Sequence, residues 1–152
     1  MIQRIQSIYL AVISILLSAM MFFPLAEILS NDKIVVFNAF SIVFLNGEVS
    51  YSFYLILQGV VIALLSVTNL VAIFLYSNRK LQMMLCKLSV VFEILLCNLI
   101  FYNVVHSISS KTFDIQYSFP IVFPIIALIL QLLAFWAIRK DDRLIRSVDR
   151  IR

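Results

Sequence analysis

Apolar residues along this chain gather into four long runs parted by short polar stretches. The runs cover about 5–29, 54–76, 83–106 and 119–138, and each is long enough to cross a hydrocarbon core, which takes about 20 residues of helix. The alternating pattern of a membrane barrel is absent, and lipid leaves no partner for unpaired backbone groups, so the runs predict helices. The expected fold class is an all-α membrane protein: an antiparallel four-transmembrane-helix bundle forming one domain over 1–152. A helical tail follows over 139–152.

Within each run, small or polar residues recur at steps of three and four, which keeps them on one helix face. The first run carries Ser7, Ala11, Ser14 and Ser18. The second carries Gly59, Ala63, Ser66 and Asn69; the third Cys86, Ser89, Glu93 and Cys97; the fourth Ala127, Gln131 and Ala134. Small residues let helices approach closely, and polar ones can hydrogen-bond across the seam. One such stripe per helix is what a compact bundle needs.

Glu93 is the costliest of these residues. Counted from Lys87 it lies roughly 9 Å into the core, and Asn69 and Gln131 lie about 10 Å deep by the same count. The three are therefore expected in one layer and form the candidate intramembrane polar site. A carboxylate there costs at least a few kcal/mol and should face inward, be paired or be protonated. With no Lys or Arg at that depth, an amide-bonded, neutral carboxyl is expected instead of a salt bridge. Functionally, such an acid suits a proton- or ion-responsive site or a contact to a partner's helix. Structurally, it suits a hydrogen bond that fixes packing register.

Between the first two runs, residues 34–45 are rich in β-branched and aromatic types, then comes Asn46-Gly47, then Glu48 to Phe53. Asn-Gly suits a tight hairpin turn with positive φ. A small β-hairpin is expected there, with Val49, Tyr51 and Phe53 on one side, serving either as a cap on the bundle or as a docking surface. Pro24 reads as a terminal kink of the first helix, and Pro120 and Pro124 as the first turns of the fourth.

Charge sets the orientation. Arg79, Lys80 and Lys87 make the middle link basic, and the last segment is basic as well. The first loop instead carries Glu27, Asp32, Lys33 and Glu48. Positive segments stay inside, which puts both termini and the middle turn in the cytoplasm. Trp136 and Tyr76 sit where an interfacial aromatic belt belongs. The first run is too long for a signal peptide's apolar region and lacks a small-residue cleavage site, so it is expected to remain as a span.

Composition agrees: 63% of the 152 residues are hydrophobic and 13% charged, against about a quarter charged in soluble domains. The net charge of +4 does not point to nucleic acid, because six of the twelve basic residues crowd into the tail. Arg139, Lys140, Arg143, Arg146, Arg150 and Arg152 form a candidate cytoplasmic interface for headgroups or a partner. Leu144, Val148 and Ile151 give that tail one apolar stripe, and it is expected to continue the fourth helix.

The chemistries of catalysis are missing from the sequence. Cys86 and Cys97 stand about 16 Å apart along one helix, beyond disulfide reach, and read as small core residues. His106 is the only histidine and is placed at the outer helix end. Two glycines cannot build a phosphate-cradling loop. No catalytic, metal or cofactor site is expected, and hence no enzyme.

The opening MIQRIQSIYL, the middle FLYSNRKLQMMLCKLS and the close AIRKDDRLIRSVDRIR resemble a family of short integral membrane proteins of Bacteroidetes, the domain-of-unknown-function family 4293. The resemblance covers essentially the whole chain. It implies four spans in the inner membrane and brings no catalytic or binding residues with it. The expected role is non-enzymatic, through protein–protein contacts in or at the membrane, with a membrane-protein partner or a second copy. The alternative is a small proton- or ion-coupled transporter or channel subunit using Glu93.

Overall fold

The computed structural model describes residues 3–30, 33–44, 47–108 and 114–149. Four helices form its body: α1 (Gln3–Ala19), α2 (Phe53–Phe74), α3 (Arg79–Ile108) and α4 (Phe123–Asp149). Five strands join them: β1 (Ala26–Ser30), β2 (Lys33–Phe37), β3 (Ile42–Phe44), β4 (Val49–Ser50) and β5 (Asp114–Tyr117). Each helix packs on its neighbours in the chain, and α1 closes the ring against α4. Three helices are long and apolar enough to cross a membrane, and α1 is a shorter apolar helix.

The helices pack through a seven-residue repeat. On α3 the buried residues run Gln82, Cys86, Ser89, Glu93, Leu96, Ile100 and Asn103, at alternating steps of four and three. From the 3-10 turn Phe119–Val122 into α4 they run Pro120, Pro124, Ala127, Gln131, Ala134, Ile138 and Asp141. The same steps give Gln6, Leu10, Ile13 and Leu17 on α1 with Met20 just past its end, and Leu55, Gln58, Ile62, Leu65, Asn69 and Ala72 on α2. Such a repeat belongs to nearly aligned helices in a left-handed bundle. The predicted stripe of α4 lies on its seam and that of α3 does so as far as Glu93, whereas those of α1 and α2 run mostly one residue beside theirs, with Ser14, Gly59 and Ser66 buried and Ser7, Ala11, Ser18 and Ala63 half-buried.

Local chemistry sets the helix ends. The Ser52 side chain accepts from Leu55 N at 3.4 Å and caps α2. A 3-10 turn, Leu75–Ser77, ends that helix, and Asn78 Oδ1 then accepts from Leu81 N to start α3. Four residues between α2 and α3 leave only an antiparallel return. Pro120 and Pro124 sit in first turns, where a missing N–H costs nothing.

The first helix is shorter than its apolar run predicts. It ends at Ala19, its tail tightens through bonds such as Phe22 N to Ala19 O at 3.0 Å, and after Pro24 the chain becomes β1. The apolar segment after Pro24, read from sequence as helix, is the strand between β2 and β5. A short apolar run fits a strand paired on both sides as well as a helix.

The expected hairpin is likewise part of something larger, an antiparallel sheet in the order β4-β3-β2-β1-β5. The segment 34–45 is not one strand, because a turn closed by Asn38 N to Ser41 O at 2.9 Å divides it into β2 and β3. Val43 pairs with Val49 and Ile42 with Ser50, and Gly47 has φ +77° in the intervening turn. Asn46 lies outside the described residues. Phe53 opens α2 and does not extend β4, so Val49, Tyr51 and Phe53 do not share a strand face. Ala26, Phe37 and Leu55 form a small second core that seats the sheet on the start of α2. Leu25 N to Phe37 O at 2.7 Å and Ser118 N to Leu25 O at 3.2 Å clasp it further.

Candidate functional site

The bundle is apolar on its outward faces, unlike a water-soluble one, and mixes polar side chains into an apolar interior. Its outward positions carry Ile8, Val12 and Ile15 on α1, Val60, Leu64 and Val67 on α2, Val91 and Ile94 on α3, and Ile125 and Ile129 on α4, all exposed. Its interior carries Gln6, Gln58, Ser66, Asn69, Gln82, Ser89, Glu93, Asn103, Gln131 and Asp141, all buried.

These interior groups are strung along the whole length of the bundle. Near the sheet, Asn103 Nδ2 donates to Gln58 Oε1 at 2.8 Å. Further in, α1 and α2 meet through hydroxyls: Ser66 Oγ lies 2.7 Å from Ser18 Oγ and 3.3 Å from Ser14 Oγ. At the opposite end Gln82 Nε2 donates to Ala72 O at 3.0 Å, and Gln6 Nε2 donates to Asp141 Oδ2. The α1–α4 bond joins the start of one helix to the far end of the other, so those two also run antiparallel.

Glu93 sits at the middle of this column with 0% of its surface exposed. The α3–α4 seam is bracketed by the Lys87 ammonium, 5.7 Å from the centroid of the Phe135 ring, and by Cys97 and Ile125, which line one groove. Glu93 lies between Lys87 and Cys97, and Gln131 between Phe135 and Ile125. The two therefore occupy one stretch of the seam. Asn69 faces the same interior from α2, but its Nδ2 donates to Leu65 O of its own helix at 3.0 Å.

The hydrogen bond from an amide expected for Glu93 is not made. Among the described residues, both Glu93 carboxyl oxygens, both polar atoms of the Gln131 amide, Asn69 Oδ1 and Ser89 Oγ are buried without a hydrogen-bond partner. A buried acid is acceptor-only when ionised, and helix carbonyls offer it nothing. Each such group carries a desolvation cost of about 1–3 kcal/mol, more if charged.

Other predicted residues fall away from this centre. Arg139, Lys140 and Arg143 are exposed along α4, and with Trp136 and Leu144 they line a surface groove. Arg146 belongs to α4; its side chain, and all of Arg150 and Arg152, lie outside the described residues, as does the His106 side chain. The tail continues α4 as far as Asp149. Cys86 is buried and Cys97 half-buried, both as free thiols. Among the described residues no three His, Cys, Asp or Glu gather where they could hold a metal ion.

Sequence reasoning passed over Gln6, Gln58, Gln82, Asn103 and Asp141. For Gln82 and Asp141 the signal was the same four-three spacing, continued outward from the recognised stripes, whereas Gln6 and Gln58 stand next to Ser7 and Gly59 on a register one residue away.

No curated protein matches the chain. A family model, Domain of unknown function (DUF4293), matches residues 2–151, and the chain belongs to that family.

Proposed function

We propose that this is a non-enzymatic four-span integral protein of the inner membrane, with both termini in the cytoplasm, that works by binding other proteins at its outer sheet. The membrane part is supported by the exterior: helices whose outward faces are apolar, with amides, hydroxyls and acids sheltered inside among apolar residues, suit hydrocarbon as the solvent. Aromatic residues flank the apolar band at both ends, with Phe22, Phe53, Tyr54 and Phe119 exposed near the sheet and Tyr76 and Trp136 exposed near the other end. From Phe53 to Tyr76 the helical rise is about 34 Å, close to a hydrocarbon core's thickness. α1 rises about 25 Å, and the turn after Ala19 supplies the remaining depth. The basic turn and tail lie at the end away from the sheet, which makes the sheet the outer face.

The contact role rests on the sheet itself. Two loops from distant parts of the chain are tied through β1 and β5 into one platform, which a simple spacer would not need. Its β4 edge leaves Val49, Ser50 and Tyr51 exposed, and an open edge is a template for another strand. A photo-crosslinking residue at Tyr51 in native membranes should give a discrete protein adduct that the same residue at Ile129 does not. No adduct, or equal smears from both positions, would defeat the reading.

A second reading, a proton- or ion-responsive site, is favoured by the unpartnered carboxyl of Glu93. Its burial away from both ends argues against conduction by a single closed copy and against a contact to a partner's helix. Reconstituted chain carrying Glu93→Gln should lose any proton or cation flux that the parent shows; unchanged flux would remove this reading.

A further inference from the structure

A groove of about 570 Å³ opens at the turn end of the bundle where α1, α2 and α3 meet. Toward the turn it is lined by Arg79, Gln6 and Tyr76, and further along the helices by Ile8, Ile73 and Phe74, with Ser7 and Gln82 completing its walls. Ile8, Phe74 and Tyr76 are exposed. Arg79 stands at the start of α3, and its Nη1 is buried without a hydrogen-bond partner among the described residues.

We propose that this groove holds one anionic phospholipid of the inner leaflet, its phosphate on the Arg79 guanidinium and its acyl chain along Ile8, Ile73 and Phe74. The inference rests on the membrane reading above, which puts this end at the cytoplasmic headgroup level. A guanidinium presents a planar fork that matches phosphate oxygens, and a buried N–H of that fork lacks an acceptor. Basic pockets between helices on the cytoplasmic side are suited to anionic headgroups. Asp141 accepts from Gln6 through Oδ2, has its Oδ1 unpartnered among the described residues, and is not one of the groove's walls. The groove's two ends match a lipid better than a free ion, because phosphate alone would leave the Ile8–Phe74 side unfilled. Tyr76 fits the same level, with an apolar ring and a polar tip.

The test uses the full chain in detergent, with native mass spectrometry after addition of phosphatidylglycerol or of phosphatidylcholine with the same acyl chains. Phosphatidylglycerol should be retained preferentially, and Arg79→Gln should weaken that retention roughly tenfold, as loss of one charge-assisted contact implies. Lys87→Gln, at an exposed basic residue of α3 turned toward Phe135 of α4, should leave it unchanged. Equal retention of the two lipids, an Arg79→Gln chain that binds like the parent, or a Lys87→Gln chain that loses as much would each overturn the proposal. So would inorganic phosphate protecting the chain from heat as well as phosphatidylglycerol does, with the same dependence on Arg79. Where Arg79→Gln does not fold, Ile8→Trp fills the apolar end from an outward position and should also reduce retention; no change would count against the lipid. Alkaline carbonate extraction of cell membranes reads the underlying assumption separately, since a chain released by carbonate is not an integral one.

Discussion

Gly59 lies under Phe40, and replacing it with alanine tests how the sheet is fastened to the bundle. Phe40 comes from the turn between β2 and β3, and its ring rests on α2 where the glycine leaves space. A Cβ on residue 59 would overlap ring atoms Cδ1 and Cε1 and stand only 2.7 Å from Cγ. Two effects then oppose each other. Alanine favours the helix over glycine by about 1 kcal/mol, whereas overpacking a filled site costs about 1–3 kcal/mol. Gly59→Ala should therefore destabilise the chain by about 1 kcal/mol overall. In a Phe40→Ala background the obstruction is gone, and the same change should stabilise by up to about 1 kcal/mol. The sign inverts between the two backgrounds. Denaturant unfolding in detergent, followed by circular dichroism on the four proteins of the cycle, measures both values and their coupling. If Gly59→Ala stabilises the parent, or costs the same in both backgrounds, the Phe40 ring does not pin the sheet to α2.

The hydroxyl contact between α1 and α2 should be modest as a bond and severe as a spacer. Ser66→Ala is expected to cost about 0.6–1.7 kcal/mol in the same unfolding assay, the range for interhelical polar contacts in membranes. Ser66→Leu should cost more than Ser66→Ala, because Ser14 and Ser18 leave it no room; equal losses would argue against close helix approach. The cysteines should separate by access to a membrane-permeant maleimide. Cys97, half-buried in the α3–α4 groove, should label well ahead of the buried Cys86, and the reverse order would contradict the packing of α3.

Much of the bundle was legible because its signal is local and repeated. A step of four or three from Cys86 reaches Ser89, Glu93 and Cys97, and the first three of these four face the interior. The depth of Glu93 was less secure, since counting began at Lys87, whereas α3 begins at Arg79. Lys87 lies inside the helix with its ammonium over Phe135, a long stem serving an apolar surface. The sheet was the part hardest to foresee. β5 has four residues, and its partner β1 lies far back in the chain, so no local periodicity announces the pair. β1 was hidden by its own apolarity, because a strand covered on both edges reads like the end of the helix before it. The division of 34–45 was visible in principle, as Asn38 and Ser41 are turn formers within an otherwise β-branched segment.

Glu93 remains the residue that packing alone does not explain. At the same seam positions the chain places Leu96 and Ala127, side chains that fill space without a desolvation cost. Asn69 shows how an interior amide satisfies its donor, by donating to the carbonyl one turn back while its Oδ1 stays unpartnered among the described residues. The exposed Asn98 makes the same bond toward Ile94 O at 2.8 Å. A glutamine at position 93 would bring donors able to reach a helix carbonyl or the Gln131 oxygen, while an ionised glutamate brings only acceptors. Glu93→Gln should therefore stabilise the folded chain by about 1 kcal/mol, the net worth of one hydrogen bond gained. Unfolding in detergent measures this without any assumption about activity. Stabilisation of that sign would mean the acid is kept against the interest of the fold, for a proton or a cation that the amide cannot take. If the glutamine variant is instead less stable, Glu93 is simply a packing residue, and the polar column has no centre.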